Sequence, residues 1–166
     1  VTTNQSGFED WLTNLDECAW EGINCTASVV DALALPYRNL KGRIPDDIGL
    51  LTALTRLSLE SNALNGTIPS SLSRLISLQK LDLLANRLTG TMPSSLSDLT
   101  VLKFLEFSDN RLNGTIPEDF GLLTALTWLS LWENKLTGTI PSPLGQLTAL
   151  KLFALDRNKL RGTIPD

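Results

Sequence analysis

Leucine recurs along this chain with two superposed spacings. Locally the pattern is L-x-x-L-x-L, as in Leu54, Leu57 and Leu59, then Leu78, Leu81 and Leu83. The alternation at Leu57 and Leu59 has period two, which predicts a short strand with one buried face. Matching pairs stand at Leu33/Leu35, Leu81/Leu83, Leu105/Phe107, Leu129/Leu131 and Phe153/Leu155. The second spacing is longer and decides the architecture. Each pair follows the last by 24 residues, and Pro45, Pro69, Pro93, Pro117, Pro141 and Pro165 keep the same step. So do Gly42, Gly66, Gly90, Gly114, Gly138 and Gly162. A fixed period of about 20 to 50 residues predicts a solenoid.

One coil cannot bury its own apolar face. Strands one coil apart must lie side by side, about 4.8 Å apart, in one parallel sheet. Stacking then makes a continuous leucine core, each buried side chain contributing roughly 1.5–3 kcal/mol. The strand must turn at Asn62, and the Gly-Thr-Ile-Pro stretch that follows cannot continue a ladder or a helix interior. Asn62, Asn86, Asn110, Asn134 and Asn158 form a column at the turn. A buried amide left unpaired costs about 1–3 kcal/mol, so these amides are expected to bond turn backbones of neighbouring coils. The first coil holds Arg38 in that slot, so the ladder is expected to start one coil late.

In full the unit reads L-x-x-L-x-L-x-x-N-x-L-x-G-x-I-P. It resembles the 24-residue, plant-specific form of the leucine-rich-repeat family, over about residues 30–166: five complete coils and a sixth that stops after Pro165. The resemblance implies an α/β repeat fold, a right-handed and gently curved solenoid with a concave parallel β-sheet and convex 3₁₀ turns, forming one structural domain. The run from Cys18 to Cys25, C-x-W-x-G-x-x-C, resembles the N-terminal cap of plant-type ectodomains of this family. That resemblance implies a cap over residues 1–29 with a Cys18–Cys25 disulfide and a short helix within Phe8 to Leu15. It also implies an oxidising, extracellular setting, secreted or at the cell surface. Glu17 stands where the land-plant cap usually has proline. Secreted repeat proteins of algae and diatoms are similar in this cap and in the phrase from Leu123 to Leu131. Trp11 and Trp20 are expected to cover the end of the first coil.

Composition narrows the chemistry. The net charge of −4 argues against nucleic acid, whose binders usually carry a basic patch. No apolar run approaches transmembrane length. The chain starts at Val1 without a signal peptide, which reads as a mature or trimmed product. There is no histidine, so no Ser-His or Cys-His pair exists, and two cysteines alone cannot close a zinc site. Neither a metal nor a cofactor is called for, and the expectation is a non-enzymatic protein. Asn4, Asn24, Asn65 and Asn113 begin N-x-S/T sequons and are candidate glycosylation sites.

Residues between the strand leucines point out of the sheet. One outward column runs Ala32, Arg56, Lys80, Phe104, Trp128, Leu152; the next runs Ala34, Ser58, Asp82, Glu106, Ser130, Ala154; a third runs Pro36, Glu60, Leu84, Ser108, Trp132, Asp156. Phe104, Trp128 and Trp132, with Leu84 and Leu152 nearby, should share one face open to water. Large exposed aromatics are candidate binding anchors. Arg56 and Lys80 at one end, and Asp82, Glu106, Asp109 and Glu133 beside the rings, make that face bipolar. A protein or peptide ligand would suit it, and so would a glycan stacking on the tryptophans. Asp82 and Glu106 on adjacent strands admit a glycosidase-like pair, against a plainer reading as two solvated carboxylates.

Two further columns stand out. Arg87, Arg111, Lys135 and Lys159 read as a solvated stripe pairing with Asp109 and Glu133, or as an edge for an anionic polymer. Thr67, Thr91, Thr115, Thr139 and Thr163 read as residues suited to the turn, or as a hydroxyl array that could order ice. The last strand should leave an unpaired edge, a template for self-association if nothing covers it. The leading functional expectation is a recognition module binding a protein or peptide on its concave sheet, like a receptor ectodomain or a hydrolase inhibitor. The alternative is a structural or adhesive extracellular protein, or one that binds glycan or ice.

Overall fold

The structure, a computed structural model, describes residues 17–164. Its strands are β1 (Ile23–Thr26), β2 (Val29–Ala34), β3 (Lys41–Arg43), β4 (Arg56–Ser58), β5 (Ala63–Asn65), β6 (Lys80–Asp82), β7 (Thr89–Gly90), β8 (Phe104–Glu106), β9 (Arg111–Leu112), β10 (Trp128–Ser130) and β11 (Leu152–Ala154). The main sheet has the order β1-β2-β4-β6-β8-β10-β11. β1 is antiparallel to β2, with an irregularity between Asn24 and Cys25. The remaining neighbours are parallel. Leu33, Leu57, Leu81, Leu105, Leu129 and Phe153 form one cross-strand row, each 24 residues after the last. The stacked coils therefore keep the register that the leucine spacing requires.

The other side of each coil follows from proline. Pro45, Pro69, Pro93, Pro117 and Pro141 are extended, and each is followed by a 3₁₀ turn: Asp46–Leu50, Ser70–Arg74, Ser94–Asp98, Glu118–Leu122 and Ser142–Gln146. Proline has a fixed φ and no N–H, so it suits the position just before a turn begins. Each turn drives one large apolar side chain inward, among them Ile48, Leu72, Leu96, Phe120 and Leu144. These meet the strand leucines in a single core running the length of the stack.

The asparagine column is a working ladder. Asn110 Nδ2 donates to the carbonyls of Leu83, Phe107 and Ser108 at 2.9, 3.1 and 3.1 Å, and its Oδ1 accepts from Leu88 N at 3.0 Å. Asn86 and Asn134 repeat the scheme. Asn62 starts it, accepting from Arg38 N and Leu40 N of the first coil. The residue before each ladder amide is left-handed: Ser61, Ala85, Asp109, Glu133 and Arg157 have φ between 50° and 54°. Their chemistry varies, so no sequence signal announced that turn.

A second strand layer was not among the sequence expectations. β3 pairs with β5, and β7 with β9, both parallel. Each of these strands is two or three residues long, too short for a period-two pattern to be seen. At the N-terminal end Cys18 and Cys25 are joined in a disulfide. Arg38 of the first coil holds Glu21 of the cap at 2.7 Å, and Trp20 packs against the core. The helix expected within Phe8 to Leu15, with Asn4 and Trp11, lies outside the described residues.

Candidate functional site

Strands β6, β8, β10 and β11 bring Lys80, Phe104, Trp128 and Leu152 into one row across the sheet. Parallel pairing fixes the neighbours, and packing fixes the rings. Phe104 and Trp128 are stacked, with centroids 5.2 Å apart and planes 19° from parallel. Lys80 Nζ lies 4.6 Å from the Phe104 centroid, a cation–π contact. The same ammonium is 3.1 Å from Asp82 Oδ2. Trp128 Nε1 donates to Glu106 Oε2 at 2.9 Å. The row is thus held by charge at one end and by an indole hydrogen bond in the middle.

The expectation of aromatics lying free in water is corrected. Phe104, Trp128, Trp132, Leu84 and Leu152 are all half-buried; Phe104 and Trp128 stack on one another, and Arg157 lies over the Trp132 ring. The reading of Asp82 and Glu106 as solvated carboxylates is corrected as well. They are only 2% and 5% exposed. Side chains on the flanking row fold over them, Lys80 onto Asp82 and Trp128 onto Glu106. Each also accepts a backbone N–H, Asp82 from Leu84 at 3.3 Å and Glu106 from Ser108 at 3.0 Å. Both carboxylates are committed to internal partners, which removes the geometric basis for a hydrolytic pair. Beneath the rings, Ser108 Oγ and Ser130 Oγ are 2.7 Å apart and buried.

Two residues not singled out from the sequence complete the face. Glu60 adjoins Asp82. Burial holds its carboxyl above the ordinary glutamate range, and the charge of Asp82 and a hydrogen bond with it push the same way; Lys80 opposes and Glu106 adds slightly. Arg157 reaches Glu133, Nη1 to Oε2 at 2.9 Å, with its guanidinium 5.9 Å from the Trp132 ring. Reading each column one coil on and one place across would have found both. Arg56 is exposed at the polar end of the face. The face therefore divides into a charged end, at Arg56, Glu60 and Lys80, and an apolar end, at Phe104, Trp128, Leu152 and Trp132.

A profile described as Leucine rich repeat matches residues 76–136, and a second, Leucine Rich Repeat, matches residues 53–75. A chain of the BIR3–SERK2 complex from Arabidopsis thaliana is 33% identical, with a TM-score of 0.81, over 96% of this chain and 85% of that one. The chain belongs to the leucine-rich-repeat family. The HAESA leucine-rich-repeat ectodomain from Arabidopsis, solved with an IDA peptide hormone, is 39% identical with a TM-score of 0.82, over 89% of this chain and 25% of that one. Receptor-like protein 3 of Arabidopsis thaliana is 41% identical over 56 residues, 32% of this chain. This leucine-rich-repeat chain spans only 7% of that curated relative.

Elsewhere on the repeat array the sequence readings divide. Arg87, Arg111, Lys135 and Lys159 are exposed, but Glu133 pairs with Arg157 and not with that stripe. The stripe residues come one step after the ladder amides, and the Glu133 carboxylate is taken by Arg157 from the next coil. Thr67, Thr91, Thr115, Thr139 and Thr163 are all exposed. On the 3₁₀ side, a polar depression of about 510 Å³ is lined by Asp46, Asp47, Arg74 and several serines. It holds no aromatic anchor and lies away from the row of rings. No helix among the described residues is long and apolar enough to cross a membrane.

Proposed function

We propose that this chain is a non-enzymatic recognition module of a secreted or cell-surface protein, and that it binds a peptide or protein segment on the face of its main sheet. Phe104, Trp128, Trp132 and Leu152 form the apolar anchor, and Arg56, Glu60 and Lys80 set the orientation of the ligand. The observation that carries this reading is the Phe104–Trp128 stack, fixed by Lys80 and Glu106 before any ligand arrives. Rings already held in place lose little side-chain entropy on binding, so more of the contact free energy appears as affinity. The relatives support the class of partner: HAESA is solved with a peptide hormone, and BIR3 with SERK2.

The direct test is selection of a displayed peptide library on the folded chain. Selected peptides should lose at least about tenfold in affinity, worth ~1.4 kcal/mol, on Trp132→Ala and Leu152→Ala. Selected peptides that bind both variants as well as the parent would remove the assignment of this face. Trp132 and Leu152 are better probes than Trp128, whose indole also serves Glu106.

A further inference from the structure

Within the repeats, the ladder asparagines and the sequon asparagines differ in structure. Ladder amides such as Asn86, Asn110 and Asn134 are buried, and each Nδ2 is consumed by backbone carbonyls. No ladder asparagine begins an N-x-S/T sequon. Asn65 and Asn113, which do, are exposed, and so are their sequon partners Thr67 and Thr115. The fold thus needs the amide nitrogen at each ladder position, and leaves Asn65 and Asn113 at the surface to carry a substituent.

Position adds a second argument. Asn65 ends β5, and Asn113 takes the equivalent place two coils on, just past β9. The coil between them has Thr89 in that place. Its Oγ1 folds back onto Gly66 O at 3.2 Å, and Thr137, one coil beyond Asn113, does the same to Gly114 O at 3.3 Å. Exposed threonines whose hydroxyls lie on the neighbouring backbone therefore alternate with the two asparagines. With one whole coil between them, the two side chains are rooted at least about 10 Å apart, twice the spacing of neighbouring strands. In each coil this edge comes after the sheet strand and the ladder turn. It is the flank opposite the one carrying Gln79 and Lys103, which precede the strands.

We infer that Asn65 and Asn113 both carry N-linked glycans, and that these cover the flank of the second strand layer while leaving the row of rings on the main sheet bare. The modification rests on the extracellular reading proposed above, because only a chain entering the secretory lumen meets the transferase. Ligand access is then from the open sheet face and from the flank of Gln79 and Lys103. Lys135, whose N–H bonds Leu112 O beside Asn113, is shaded by the nearer glycan.

The experiment is secretion of the chain from cultured eukaryotic cells, with peptide mapping after enzymatic deglycosylation in heavy-oxygen water. Both asparagines should be converted to labelled aspartate, and N65Q and N113Q should each remove one step of gel mobility. Deglycosylation of the native protein should raise the acylation rate of Lys135 severalfold, yet leave acrylamide quenching of tryptophan fluorescence unchanged. An intact Cys18–Cys25 disulfide in the same sample shows that the chain passed through the lumen. Unmodified Asn65 and Asn113 in such a sample overturn the inference without touching the peptide-binding proposal. Glycans present, with tryptophan quenching increased by their removal, overturn the claim that the sheet face is bare. A chain secreted without the disulfide or glycans overturns the extracellular reading itself.

Discussion

Trp128 and Glu106 lie on adjacent strands, and the indole N–H of one donates to the carboxylate of the other at 2.9 Å. The ring closes over a carboxylate that is only 5% exposed. Glu106 accepts on both oxygens, from Trp128 and from Ser108 N. Trp128→Phe keeps an aromatic surface but leaves one buried oxygen without its donor. Such a loss costs about 1.5–3 kcal/mol when the acceptor is charged. A double-mutant cycle of Trp128→Phe with Glu106→Gln, followed by urea denaturation, should give a coupling of ~1–2 kcal/mol. Strictly additive single effects would show that the two side chains do not meet.

Ladder amides should differ in value according to burial. Asn110→Ala strands the buried Leu88 N–H and takes one of two donors from the carbonyls of Leu83, Phe107 and Ser108, at a cost on the order of 2 kcal/mol. Asn62→Ala should cost less, because water reaches the first rung, where Arg38 N is exposed. Denaturant midpoints of the two variants, measured together, check the order.

The legible part of this fold was the part that repeats with one residue type. Leucine rows and the asparagine ladder keep both period and chemistry, so the spacing placed them, while the 3₁₀ turns after each proline were expected only from the family resemblance. The second strand layer escaped because β5 and β9 each offer a single buried leucine, Leu64 and Leu112, and β3 and β7 offer none. The left-handed turn escaped because Ser61, Ala85, Asp109, Glu133 and Arg157 share a conformation but no chemistry. For the site, the columns brought Phe104, Trp128 and Trp132 to one face, but their depth was not legible. Exposure there depends on side chains crossing between columns, as Trp128 crosses to Glu106 and Lys80 to Asp82. A column read by itself cannot show that.

Glu60 gives the fold a pH dependence of stated sign. Burial first, and then Asp82, raise its carboxyl above the value near 4.5 that it has in the open chain. A group of this kind favours the folded state fully below its unfolded pKa, and that contribution is lost as pH rises through the folded one. Glu60→Gln removes the titration. The stability of the variant relative to the parent should therefore increase between about pH 4 and pH 7. Thermal melts of the pair across that range decide it, and parallel curves would contradict the contact with Asp82.

The cap should contribute locally. Cys18 and Cys25 are separated by 7 positions, and closing so short a loop is worth about 2.5 kcal/mol by chain entropy. Cys18→Ser with Cys25→Ser should lower stability by roughly that amount. Hydrogen exchange should quicken in β1 and stay unchanged in β6 and β8, several coils away.

In the main sheet a residue's lateral neighbour is 24 positions on, as for Leu57 and Leu81. In the second layer it is 22 positions on, as for Lys41 and Ala63 or Thr89 and Arg111. The two walls of the stack therefore count differently. Compensating substitutions among relatives should appear at a lag of 24 along one wall and at a lag of 22 along the other. An evolutionary record of the family would thus separate the two walls from sequence alone, without any coordinates.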